Sequence, residues 1–183
     1  MLVEGQSDQN AVQALAARFG HDPAADGIAV LPMGGATNIG HFLDQYGPHG
    51  LNIPVAGLCD AGEESDFRRG LERAGLGSDL NRAGFFVCVA DLEDELIRAL
   101  GVPVVREVVA GQGELGSFLI FSKQPAQRER GTAEQLRRFM GTRSGRKIHY
   151  GRVLAEALDL GQVPAPLERL LGHVLTVRGR WGR

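Results

Sequence analysis

Three short apolar runs in this sequence each end on an acidic residue: Leu2-Val3 on Glu4, residues 55–59 on Asp60, and residues 86–90 on Asp91. Between them lie stretches with helical spacing, such as Val12, Leu15, Ala16 and Phe19 ahead of Gly20. Alternation of this kind marks βαβ units, in which a parallel sheet is buried between helices. In an open parallel sheet all strands share one carboxyl-end edge, and ligands bind there. Glu4, Asp60 and Asp91, about 30 to 60 residues apart in sequence, are therefore expected to meet on that edge. Asp8, one turn into the first helix, faces the same edge. Glu63 and Glu64 follow the third strand, and Glu93 and Glu95 open the helix after the fourth.

The same patterning predicts strands at 1–3, 28–31, 53–59, 85–90 and 104–109. Helices are expected from Ser7 or Asp8 to Phe19, near Phe42, over 67–74 and over 91–100. Beyond Gly111 the pattern changes to short helices at 112–121, 133–140, 148–158 and 166–171, joined by basic, glycine-containing connectors. The expected organisation is a catalytic core over 1–111, a basic helical extension over 112–173 that completes the site, and a disordered tail over 174–183. So brief an opening strand implies a natural product that begins further upstream, or a cut from a longer chain.

With 183 residues, 43% hydrophobic and 23% charged, the chain fits one ordinary soluble domain. No apolar run approaches the roughly 20 residues of a membrane span, and nothing resembles a signal peptide, so a cytoplasmic location without membrane contact is expected. Cys59 and Cys88 each lie in an apolar run and form no CxxC pair, as reduced core thiols do. The net charge of −2 hides a division. From Ser122 onward 13 Lys+Arg face 5 Asp+Glu, a balance of +8, which leaves −10 for the first 121 residues. The split suits an acidic metal-collecting part beside a basic surface for a polyanion. Two differently solvated faces produce the same counts.

So many carboxylates in one cleft repel one another unless a cation holds them. Hard oxygen ligands favour Mg²⁺ or Mn²⁺ over zinc. Two such ions can activate water and steady the leaving oxygen of a phosphodiester. Asp8, Asp91 and Glu93 also suit helix N-termini, and residues 63–66 also suit a solvated face. His21, His41, His49, His149 and His173 show no metal-ligand spacing. The stretch 123–152 holds nine basic residues and two acids, with Phe139, His149 and Tyr150 interleaved. Arg137, Arg138, Arg143, Arg146, Lys147 and His149 are the candidates for salt-dependent contact with nucleic acid. Gly34-Gly35-Ala36-Thr37-Asn38 is either a phosphate cradle or a tight turn. Trp181, among arginines, is placed either to stack on a base or in a loose tail.

Leu2-Val3-Glu4-Gly5-Gln6-Ser7-Asp8 resembles the opening motif of Toprim domains, an apolar strand, Glu-Gly, and a polar pair entering a helix. Asp60 matches the first acid of the Toprim Asp-x-Asp motif. The wording of the first motif, with Asp91-Leu92-Glu93-Asp94-Glu95-Leu96 downstream, is most similar to the OLD (overcoming lysogenization defect) nuclease family. The resemblance covers about the first 110 residues and reaches Arg143-Ser144-Gly145-Arg146-Lys147, similar to the basic segment closing that family's site. It implies an α/β Toprim fold: a Rossmann-like, mainly parallel sheet flanked by helices, with a small C-terminal helical extension. It also implies a metal-dependent nuclease acting on DNA. By position, Glu4, Asp8, Asp60, Asp91 and Glu93 become metal ligands, Glu4 also a general base, and Lys147 a stabiliser of transition-state charge.

Two departures stand out. Gly62 occupies the place of the second Asp-x-Asp acid, which Glu63, Glu64 or Glu95 can replace. OLD proteins carry an ATPase domain ahead of Toprim, and this sequence has no G-x-x-x-x-G-K-[ST] loop. The expected function is a two-metal Mg²⁺ or Mn²⁺ endonuclease or nickase. The alternatives are a non-catalytic Toprim module that binds DNA or a repair partner, or a nuclease subunit paired with an ATPase in trans. A primase-like or topoisomerase-like activity ranks last, since no zinc-ribbon cysteines occur and neither Tyr46 nor Tyr150 is placed as a strand-passage nucleophile. Phage defence or DNA repair fits by analogy of fold.

Overall fold

A computed structural model describes residues 1–143 and 145–181, with the side chains of 178–181 left aside. Four strands form one wholly parallel sheet in the order β2-β1-β3-β4, from β1 (Leu2–Val3), β2 (Leu31–Pro32), β3 (Gly57–Asp60) and β4 (Phe85–Cys88). Residues alternate between its faces because successive strand side chains point oppositely. Leu2, Cys59 and Phe85 enter a core with α2 (Ile39–Tyr46) and α3 (Glu64–Arg73). Val3, Leu58, Phe86 and Cys88 enter the other, larger core. There they meet α1 (Gln6–Arg18), α4 (Leu92–Gly111), α5 (Leu115–Ser122), α6 (Thr132–Met140), α7 (Arg146–Ala157) and α8 (Ala165–Trp181). Burial on both faces explains why the strands read as continuous apolar runs.

The strands are shorter than the sequence implies, for local reasons. Pro32 confines β2 to a short edge strand, where its missing N–H is tolerated. Pro54 likewise delays β3, leaving Ile53 half-exposed before the strand. The expected fifth strand at 104–109 is instead the second half of α4. Gly101 (φ 76°) breaks the helix, and Pro103 lies in the first turn of the restarted segment, where no N–H is needed. Val105 and Val109 are fully buried while Val104 is exposed, which is helical spacing carried by β-branched residues. Packing of that face outweighs the strand preference of valine.

The stretch 174–183, expected as a disordered tail, is entered by α8. Leu167, Leu170 and Leu171 bury one face of α8, and His173 packs edge-on against Phe86 at 5.9 Å, so the helix continues to Trp181. Residues 182 and 183 of that tail lie outside the described residues, as does Ser144 of the basic segment.

Helices α1 and α7 cross at close range because Gly151 has no side chain. A Cβ there would stand 2.5 Å from the Ser7 carbonyl oxygen. This contact sets the N-terminal end of α7 over the strand edge. A Gly151→Ala substitution must push the helices apart and is expected to cost about 1–3 kcal/mol. Thermal denaturation should show a melting temperature several degrees lower, and an unchanged one would contradict this account of the crossing.

Candidate metal centre

Where β1 ends, the Glu4 carbonyl accepts the N–H groups of Gly34 and Gly35 at 3.0 and 3.2 Å. Both glycines take left-handed backbone (φ 73° and 122°), which side chains disfavour. The double-glycine turn therefore anchors Glu4, and its N–H groups are spent on that task rather than on cradling a phosphate. Next, Gly5 caps α1 and its N–H donates to Asp8 Oδ2 at 2.8 Å, holding Asp8 beside the strand end.

Asp60 closes β3, and the chain then makes a single 3₁₀ turn over Ala61–Glu63. That turn swings Glu63 back, so carboxylate oxygens of Glu4, Asp60 and Glu63 lie within 4.8 Å of one another. Glu63 Oε2 is buried without a hydrogen-bond partner. A Cβ on Gly62 would meet nothing within 4 Å, so the missing motif acid is absent by sequence and not by lack of room. Of the three substitutes, Glu63 alone joins the group. Glu64 pairs with Arg68 along α3, and buried Glu95 accepts the Val89 N–H at 2.8 Å and pairs with Arg98. Helical spacing turns both toward their own arginines.

Asp91 and Glu93 arrive with partners. Asp91 Oδ1 caps α4 through the Asp94 N–H at 2.8 Å, while Oδ2 meets Arg137 Nε and Nη2, each at 2.7 Å. Glu93 is 2% exposed. Its Oε1 accepts the Ser7 hydroxyl at 2.6 Å, and its Oε2 lies 3.1 Å from Lys147 Nζ. Ser7 Oγ is also 3.1 Å from the Lys147 carbonyl. The sequence offered Ser7 only as a possible start of the first helix. Its burial behind Asp8 is a tertiary fact, and the one signal available was a polar residue on the apolar side of the first turn.

Crowding of like charges shows in the acids' proton affinity. Burial, then the charges of Glu4, Asp8 and Asp91, push Asp60 up to about 8. Burial also lifts Asp8 to about 7, against the pull of the Gly5 N–H. Glu63 is raised by burial and by Glu4. Lys147 is the nearby cation that opposes all three rises. Burial works to lower its own pKa, but Glu93, Asp8 and Asp91 together outweigh that and raise it.

The nucleic-acid candidates separate. Arg137, Arg138 and Lys147 line one cleft with Asp91, Glu93, Glu134 and Gly141. Arg143 is exposed on the connector between α6 and α7. His149 is exposed and faces Gln112 Oε1 at 2.8 Å. Arg146 differs from these: its side chain is 6% exposed and turned inward onto Glu114 at 2.7 Å.

The chain resembles known proteins in two comparisons. Residues 1–61 match the family model described as overcoming lysogenization defect protein-like, TOPRIM domain. No curated protein matches. Among solved structures, the C-terminal region of the Xanthomonas campestris pv. campestris OLD protein is similar, with 24% identity and a TM-score of 0.77. The alignment covers 100% of this chain and 96% of that one. The C-terminal region of the Burkholderia pseudomallei OLD protein aligns at 21% identity and a TM-score of 0.74, over 97% of this chain and 96% of the other. Identities this low speak to fold alone, and the fold is shared from end to end.

The raised acids set a pH dependence. Asp60 and Asp8 bind protons more tightly folded than unfolded, where the ordinary value is 3.8. Between about pH 4 and 8 the folded chain therefore holds more protons, and its stability falls as pH rises. In EDTA the melting temperature should drop from pH 5 to pH 8. Asp60→Asn should raise it at pH 8 and flatten the slope. A wild-type curve that is flat or rises over this range would contradict the crowding.

Proposed function

We propose that this chain, which has the Toprim fold of OLD C-terminal regions and the OLD-like Toprim signature in its first 61 residues, hydrolyses phosphodiester bonds in DNA with Mg²⁺ or Mn²⁺. The observation that carries the reading is the meeting of Glu4, Asp60 and Glu63 from two separate strand ends. Three hard oxygen donors without nitrogen or sulfur suit those ions. A bound ion supplies charge that makes a neighbouring water more acidic and offsets charge on the phosphate.

The protein's own groups divide the remaining work. Glu4, Asp60 and Glu63 would hold the first ion, and the Glu4 carboxylate would serve as the base toward the attacking water. Asp8, Asp91 and Glu93 stand beside them as ligands for a second ion, which would require Asp91 and Glu93 to loosen their hold on Arg137 and Lys147. Lys147 then lies free to face the charge that builds on the scissile phosphate. Arg137 and Arg138 continue the cleft and neutralise flanking phosphates without reading sequence. A soluble, cytoplasmic enzyme that works with an ATPase in trans, in phage defence or DNA repair, agrees with this reading.

A second reading is a DNA-binding module without turnover. It is favoured by Gly62 and by the ion pairs that already occupy Asp91 and Glu93. A supercoiled-plasmid assay separates the two. Nicking or linearisation is expected with Mg²⁺ or Mn²⁺ and not with EDTA, and Glu4→Ala or Asp60→Ala should abolish it while the fold is kept. A gel shift without cleavage under every metal would overturn the nuclease in favour of the module.

A further inference from the structure

The first two residues of α7 are adjacent cations that point in opposite directions, and the inward one has no function in the nuclease reading. Arg146 is the first residue of α7 and Lys147 the second. Lys147 points to Glu93. Arg146 points the other way and ties three elements together. Its Nε and Nη2 donate to Glu114 Oε1 at 3.1 and 2.7 Å, at the junction of α4 and α5. Its Nη1 donates to the Phe139 carbonyl at 3.2 Å and to Thr142 Oγ1 at 2.6 Å, at the end of α6. The guanidinium carbon lies 4.0 Å from the centre of the Phe139 ring. One turn along α7, the Tyr150 hydroxyl donates to the other Glu114 oxygen at 2.9 Å, and Tyr150 is fully buried.

Every polar arm of the guanidinium is therefore directed into the protein. A planar fork satisfied on several sides fixes orientation in a way that a lysine cannot reproduce. We infer that Arg146, held by Glu114 and Tyr150, is a positioning residue that sets the start of α7 so that Lys147 reaches the acidic centre. The inference rests on the nuclease reading for its kinetic consequence. Its geometric consequence stands apart, since the Lys147–Glu93 ion pair depends on the same lock.

The test uses the whole chain and the variants Arg146→Lys, Lys147→Ala, and the two together. Tyr150→Phe serves as a milder probe that removes one hydroxyl and keeps the ring in the core. A reacting group displaced by about 1 Å costs on the order of 100-fold in rate. Arg146→Lys should thus lower kcat for plasmid nicking by about that factor, with KM for DNA unchanged. In the Lys147→Ala background the same change should add little, because it acts through a group already removed. Tyr150→Phe should show a smaller loss of the same kind.

Three results would overturn the inference: wild-type turnover in Arg146→Lys, a full further loss in the Lys147→Ala background, or a raised KM with a weaker salt dependence. The last would make Arg146 a DNA contact after all. Should the wild type fail to nick, the nuclease reading falls, and the lock is judged by lysine chemistry. Acylation of Lys147 by an amine-reactive ester, read by peptide mass spectrometry, should be slow in the wild type and several-fold faster in folded Arg146→Lys. Equal rates would sink the lock independently of any activity.

Discussion

Carboxylate crowding at the carboxyl ends of the strands is the constraint around which this structure is organised. Glu4, Asp8, Asp60 and Glu63 are drawn together by the sheet, by a glycine turn and by one 3₁₀ turn, and like charges at such range oppose that arrangement. The protein answers with cations from its second half. Lys147 comes from α7 to Glu93, and Arg137 from α6 to Asp91. The −10 of the first 121 residues and the +8 of the rest are thus two sides of one electrostatic arrangement. They meet because α7 is pressed onto α1 at Gly151.

Much of this was legible in the sequence because it follows from periodicity. Strand-end acids are brought to one edge by any open parallel sheet, so Glu4 and Asp60 were found from pattern alone. Residues 104–109 defeated the same logic, since a valine-rich run obeys helical and strand spacing about equally until its buried face is known. The choice among Glu63, Glu64 and Glu95 turned on a three-residue turn and on where Arg68 and Arg98 lie. Sequence spacing holds no record of that. Arg146 and Lys147 are adjacent and both basic, yet one is enclosed and the other half-exposed. The first residues of a helix point in different directions, and which one faces the solvent depends on what lies beneath.

The polar interior of the second half is built for direction more than for strength. Arg146, Glu114 and Tyr150 exchange hydrogen bonds in a place where apolar residues would pack. Burial works to raise Glu114, but the hydrogen bonds of Arg146 and Tyr150 win and hold it below its usual value. The carboxylate thus stays charged as the fixed point of the network. Enclosed ion pairs contribute little net stability, and their use is to select one arrangement among several similar packings.

Gly5 and Lys147 stand at opposite ends of the synthesis order, and the α1–α7 contact gives that separation a meaning for assembly. As the chain leaves the ribosome, the acids at the ends of β1 and β3 appear long before the helix that carries their counter-cation. Until α6 and α7 dock, the strand-end acids lack Arg137 and Lys147 as neighbours. The basic cleft and the larger core share α7, because Tyr150 and Leu154 fill the same core as Val3 and Val12. A partly made chain therefore lacks the cations that offset its acidic edge, and that balance arrives only with the finished fold.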